Sequence, residues 1–277
     1  MAKKKGLNKR TALLIVVIII LVVIAGLIIW GSLMDPVMYK EDFSAKHQAP
    51  SWEHPFGTDA IGRDMFYRSI KGLSASLRIG LFAACVGAGI ALVFGLAASL
   101  LGPKVDGVIT WMVDLCMSLP HLVLLLILSL LFGKGAKGVA CAVAFTHWPS
   151  ITRLVRAEVK QIATTKFVKT AEKFGQSKAK IAVQHVIPHV FSQFIVGLVL
   201  LFPHAIMHEA SVTFLGFGLS MDSPAIGVIL SESMKYIPLG YWWLGLFPGL
   251  LLVGVVLLFH LLGKNIEILL NPHTGQL

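Results

Sequence analysis

Residues 11–30 read TALLIVVIIILVVIAGLIIW, an unbroken apolar run preceded by the basic segment MAKKKGLNKR. A helix rises about 1.5 Å per residue, so a run of about 20 residues matches the hydrocarbon thickness of a bilayer. A secretory signal core is shorter, about 7–15 residues, and ends at a small-residue cleavage site. Here the next residues are GSLMDPVMYKED. We therefore expect a retained first transmembrane helix.

Further apolar runs lie near 74–101, 107–132, 138–152, 190–219 and 241–263. Charged residues make up 14% of the chain, against about 25% in soluble domains, and the mean hydropathy is +0.80. The class is an all-α polytopic membrane protein with six transmembrane helices. The fourth run is short, so its span extends past Pro149. A net charge of +10 does not indicate a nucleic-acid binder, because no soluble module gathers the basic residues. Cys85, Cys116 and Cys141 lie in apolar runs without metal-site or CxxC spacing. They read as buried small hydrophobes.

Lys and Arg set the orientation. With both termini inside, Lys3, Lys4, Lys5, Lys9, Arg10, Lys104, Lys264 and the cluster from Arg153 to Lys180 fall on the cytoplasmic side. The organisation is then a basic tail and first helix (1–31), an extracytoplasmic segment (32–73), a helical core (74–265) and a cytoplasmic tail (266–277). Within the core, residues 153–189 form a basic, helix-forming cytoplasmic segment broken at Gly175 and ended by Pro188. Such a helix–Gly–helix suits docking to a soluble partner, and equally suits a solvated loop that only enforces topology.

Several motifs resemble the dipeptide, oligopeptide and nickel branch of ATP-binding-cassette importer permeases. The 153–189 segment is similar to that family's EAA coupling loop: Lys169-Thr170-Ala171 stands at the EAA position, Gly175 follows, and Ile187-Pro188 closes the motif. Lys169 replaces the glutamate, and position 185 is His185. HPFGTDAIGRDMFYRSIKGLSASLRIG (54–80) resembles the segment after the first helix, with Gly57, Asp59, Gly62, Arg63 and Asp64 in register. Glycines there allow tight turns, and the charged residues can pair locally; the motif reads as structural. VDLCMSLP (113–120), ASVTFLGFG (210–218) and LFPGLLLVGVVLLFHLLG (246–263) extend the likeness. His260 stands for a usual asparagine, and Lys264 and Asn271 for usual aspartates.

The resemblance implies a type I importer permease fold with a cytoplasmic coupling helix, in the cytoplasmic membrane of a prokaryote. It further implies a second homologous permease chain, two ATPase subunits and an extracytoplasmic substrate-binding protein. This chain has no P-loop, since GKGAKG at 133–138 lacks the required spacing. ATP therefore belongs on partner subunits, and the chain itself is neither an enzyme nor the holder of a resident cofactor. Its surroundings are membrane lipid, with no nucleic acid.

Ionisable residues inside transmembrane helices are rare and usually face a cavity or a partner. The candidates are Asp114, His121, His147, His204, His208, Glu209 and His260. Asp114 reads as a structural tie to a neighbouring helix or to the coupling region. Glu209 either lines the pathway or orients the turn at Gly216 and Gly218. His121 and His260 read as helix–helix hydrogen bonders. His204 and His208, at i and i+4, share a helical face with Ser211. The nickel-type members, by resemblance, carry histidines at both positions and in an HW pair, here His147-Trp148. Imidazole suits Ni²⁺, Cu²⁺ and Zn²⁺, so His204, His208 and His147 become candidate contacts for a transported metal. The expected function is an importer subunit for nickel or a related metal chelate, closest to the nickel-type second permease chain. The alternative is a dipeptide or oligopeptide importer. A proton-coupled carrier using Asp114, His208 and Glu209 would show an inverted repeat, and none is visible. A metalloprotease would need HExxH, which HAIMHE is not.

Overall fold

The structure is a computed structural model that describes residues 9–220 and 223–270. Its regular structure among these residues is helical, apart from one isolated bridge between Thr58 and Asp64. The helices are α1 (Lys9–Leu33), α2 (Met65–Leu100), α3 (Pro103–Ser118), α4 (His121–Leu131), α5 (Ala136–Ala163), α6 (Lys166–Lys173), α7 (Lys178–Ile181), α8 (Ile187–Phe214), α9 (Ile226–Ser233) and α10 (Trp243–Leu270). Lys3, Lys4, Lys5, Asn271 and the tail beyond Leu270 lie outside the described residues.

Helix α2 organises the rest, and its sequence explains why. Gly72, Gly80, Gly87 and Gly95 recur every seven or eight residues along it, keeping one face free of side chains. A Cβ at Gly87 would lie 2.8 Å from the Ala144 carbonyl oxygen, and one at Gly95 would lie 2.5 Å from Val155. One at Gly80 would meet Ile206 at 2.6 Å, and one at Gly72 the backbone of Ala225 at 3.0 Å. Small residues are what allow helix backbones to approach closely where no water drives the association. Ala83, Ala84, Ala88 and Ala91 are fully buried on the same helix and pack with Val139, Ala142 and Val143 of α5. Helices α1 and α10 close a second cluster through Ile20, Ile24, Val255 and Phe259. The remaining face of α1 is exposed leucine, isoleucine and valine, suited to lipid.

Each expected apolar run is helical, with three differences in detail. The run at 107–132 is two helices, bent by 98° between α3 and α4. The break falls at Leu119-Pro120, where proline excludes helical geometry at the residue before it. Helix α5 continues to Ala163, so the first third of the expected coupling segment is a helical extension carrying Arg153, Arg156 and Lys160. Likewise α10 runs through Lys264 to Leu270, past the expected start of the tail at 266. By length and apolarity α1, α2, the stretch Ala182–Phe214 and α10 qualify to cross a membrane, with the bent α3–α4 pair as a fifth. Helix α5 does not qualify, because Thr146, His147, Ser150, Thr152 and Arg153 interrupt its apolar character. It is nevertheless largely buried against α2, α4 and α8. The cysteines are free as expected, but Cys85 is exposed and Cys116 and Cys141 are only half-buried, not interior. An apolar run in a membrane protein has two apolar surroundings, and the sequence does not say which one a given residue faces.

Candidate functional site

Three helices carry a proline close to a histidine. Pro120 immediately precedes His121 at the start of α4, Pro149 follows His147 by two residues in α5, and Pro203 precedes His208 by five in α8. Pro149 and Pro203 lie inside their helices and each removes a helical hydrogen bond, whereas Pro120 is the N-cap of α4, where none is lost. The three imidazoles meet at this level. Ring centroids are 4.4 Å apart for His121–His208, 5.1 Å for His121–His147 and 5.2 Å for His147–His208. One nitrogen from each lies within 4.8 Å of the other two, and among the described residues this is the group of His, Cys, Asp or Glu side chains placed to hold an ion.

The local hydrogen bonds orient these rings. His147 is 5% exposed, and its Nδ1–H donates to the Val143 carbonyl one turn back at 2.8 Å. Fixing Nδ1 as the donor leaves Nε2 with a free lone pair. His121 Nε2 is buried and has no hydrogen-bond partner, contrary to its expected role as a helix–helix hydrogen bonder. His204 is exposed and lies outside the group. It sits one turn from His208, about 6 Å along the axis, near the group but not in it. His260 is exposed on α10.

Glu209, next to His208 in sequence, points elsewhere. It is fully buried, and the Thr213 hydroxyl donates to its Oε1 at 3.0 Å. Thr213 Oγ1 in turn accepts from Leu219 N–H at 3.4 Å, and a Cβ at Gly218 would come within 2.1 Å of that oxygen. This chain of contacts joins Glu209 to the turn after α8.

At the opposite end of α2 lies a dense ion-pair network. Asp59 accepts from the backbone N–H of Ile61 and Arg63, from Arg63 Nε at 2.6 Å and from Arg68 Nη1 at 3.1 Å. Arg68, 3% exposed, also pairs with Glu232 at 2.5 Å, and Arg63 reaches the same carboxylate at 3.3 Å. Asp64 caps α2 by accepting from Phe66 N–H and Tyr67 N–H, and pairs with His54 at 2.7 Å. Gly57 and Gly62 make the tight turns of the motif, with φ +69° and +80°. A Cβ at Gly62 would sit 1.6 Å from the Asp42 carbonyl oxygen. Arg68 and Glu232 escape a motif reading because they are 164 residues apart.

On the coupling side, Gly175 (φ +77°) ends α6. Gln176 N–H donates to the Ala171 carbonyl at 3.2 Å, the six-to-one bond of a left-handed helix C-cap. Ala171 is buried, Lys169 is exposed, and Ile187-Pro188 opens α8 after a π turn at Ala182–Val186. Phe174 remains 83% exposed beside the cap. Asp114 pairs with Arg153 across α3 and α5 at 2.5 Å with both side chains about half exposed. Asp106, a residue without a sequence signal, binds Arg156 and Lys160 from the same side.

Residues 87–270 match the profile of a family described as binding-protein-dependent transport system inner membrane component. The dipeptide transport system permease protein DppC of Alkalihalophilus pseudofirmus is 32% identical over 247 residues, covering 89% of this chain and 81% of that protein. DppC of Bacillus subtilis is 28% identical over the same length, covering 89% and 77%. A putative peptide permease protein of Brucella suis is 30% identical over 234 residues, covering 84% and 78%. Among solved structures, the inward-facing MetNI methionine ABC transporter superposes with a TM-score of 0.62 at 17% identity, over 74% of this chain and 97% of that one. At that identity the likeness is one of fold.

Proposed function

The chain belongs to the family of binding-protein-dependent transport system inner membrane components, and on that premise we propose that it forms half of the membrane pathway of an ATP-driven importer for di- or oligopeptides. It is a multi-pass inner-membrane permease subunit. The observation that carries the cargo is the 32% identity to a dipeptide permease over 89% of this chain. That favours the peptide alternative over the nickel cargo expected from the histidines. A cleft of about 670 Å³ agrees with it: Lys71, Arg78 and Lys137 line it and, among the described residues, no acidic one does. Such a cleft attracts carboxylates.

The architecture proposed is six crossings, formed by α1, α2, the bent α3–α4 pair, α5, α8 and α10, with both termini cytoplasmic. Helix α5 can be polar and still cross, because protein and not lipid surrounds it. A second permease chain completes the pathway, an extracytoplasmic binding protein delivers cargo, and two ATPase subunits supply the drive. Exposed Phe167 and Phe174 on and beside α6 give those ATPases an apolar anchor of the kind that dominates interfaces. Closure of the ATPases would then move α5 and α8, between which α6 and α7 are strung, and switch access from one side to the other.

The test is uptake of a labelled dipeptide, beside radioactive nickel, in cells carrying the complete transporter with and without this chain. Peptide accumulation that disappears with the chain is expected. Nickel accumulation with no peptide uptake would overturn the peptide reading.

A further inference from the structure

We propose that the cleft between the first turns of α2 and α5 holds an anionic phospholipid of the outer leaflet. Lys71 and Arg78 of α2 and Lys137 of α5 line it, with Leu219 and Pro224 of the stretch after α8 as a third wall. Arg78 is the last charged residue before 79–100, a run free of Lys, Arg, Asp and Glu. As a helix that run is about 33 Å long, and a hydrocarbon core is about 30 Å thick. Lys137 likewise precedes a run free of those residues, 138–152. The two helices pack side by side, Gly87 on Ala144 and Gly95 on Val155, so Arg78 and Lys137 lie near one level. In the proposed crossings that level is the outer headgroup region, with Lys71 about two turns further out.

These charges lack counterions. Arg78 Nε donates to the Ser74 carbonyl at 3.4 Å, and Lys71 Nζ to the carbonyls of Ser32 and Met34, each at 3.4 Å. Among the described residues no carboxylate pairs with Lys71, Arg78 or Lys137. A carbonyl satisfies a donor and leaves the charge in place. Cations around one cleft repel one another, and an anion held between them relieves that repulsion.

The surface below the cations selects a lipid over a soluble anion. Ile79 and Phe82 continue the cleft, and Phe82, Val86 and Val93 are exposed on the side of α2 that carries Arg78. On α5, Cys141 and the exposed Phe145 follow Lys137 at i+4 and i+8. Two apolar tracks thus run from the cations toward the membrane centre, matching a molecule with a charged head and hydrocarbon tails. A zwitterionic head would bring an ammonium that these cations repel, whereas a phosphodiester without an amine does not. A cargo carboxylate reaches the cleft from water; a lipid enters sideways from its leaflet. The inference rests on the proposed crossings of α2 and α5 and not on the cargo, so lipid binding and peptide uptake can fail independently.

The experiment titrates the full chain in detergent with phosphatidylglycerol and with phosphatidylethanolamine of the same chain length, and counts bound lipid by native mass spectrometry. One tightly held phosphatidylglycerol per chain is expected, with phosphatidylethanolamine clearly weaker. Arg78→Gln and Lys137→Gln should each weaken phosphatidylglycerol by about 5-fold, the loss of one cation near a membrane surface. Arg78→Lys should keep most of the binding, and Lys46→Gln, outside the cleft, should bind as wild type. Arg78 and Lys137 are exposed, so these variants leave the core intact; a thermal melt of each checks this. Equal binding of the two lipids, or unchanged phosphatidylglycerol binding in the Arg78→Gln/Lys137→Gln double variant, would overturn the site. So would displacement of the lipid by an equal concentration of water-soluble glycerophosphoglycerol or of a dipeptide.

Discussion

Two of the polar clusters in this molecule have opposite bonding. Around Asp59 and Arg68 every charged group meets a partner: the Asp59 carboxylate accepts from backbone and side-chain donors, and Arg68 bridges it to Glu232 on α9. In the histidine cluster the imidazoles face one another, and one buried nitrogen has no partner. A saturated network holds segments together, whereas an unsaturated one has capacity left for something that is not part of the chain. The glycine turns at 57 and 62 and the helix cap at Asp64 belong to the first kind.

Replacing Arg68 with Met gives the largest effect that this contrast predicts. It leaves Asp59 and Glu232 with only the more exposed Arg63 as a shared cation, and breaking a buried pair costs about 3–5 kcal/mol. The folded yield and the melting temperature in detergent should fall sharply. A melt like wild type would mean that the network is not what joins the outer segment to α9. Arg153→Met tests the same chemistry without burial. Its pair with Asp114 is half exposed, and such pairs contribute about 0–1 kcal/mol. The melt should shift little, and less still in high salt. The smallest effect is expected from His121→Leu without metal, which removes an unpartnered nitrogen and no hydrogen bond. Such replacements are close to neutral, so a loss above about 1 kcal/mol would reveal a partner for His121 and weaken the comparison.

Much of the framework was legible along the chain. The apolar runs became helices, and the turn motif at 57–64 and the Gly175 helix end fell where their residue types demand. What the sequence left open has one cause. His121 read as a packing residue and His204 as a site residue because i,i+4 spacing identifies a shared face but not which part of that face meets another helix. Asp106 and Glu232 carried no signal at all, since their partners lie 50 and 164 residues away.

The sequence by itself determined the class of protein, its helices and the points at which proline and glycine interrupt them, because hydropathy, helix propensity and φ restriction act over a few residues. Only the tertiary structure decided which side chains meet. In a membrane protein that division is sharper than in water. Lipid and protein interior are both apolar, so the pattern that tells inside from outside in a soluble helix is muted. The close approach of α2 to α5 and α8, allowed by absent side chains at Gly80, Gly87 and Gly95, helps set which helices are neighbours. That packing brings three histidines from separate helices to one point and leaves a fourth, one turn away, outside it.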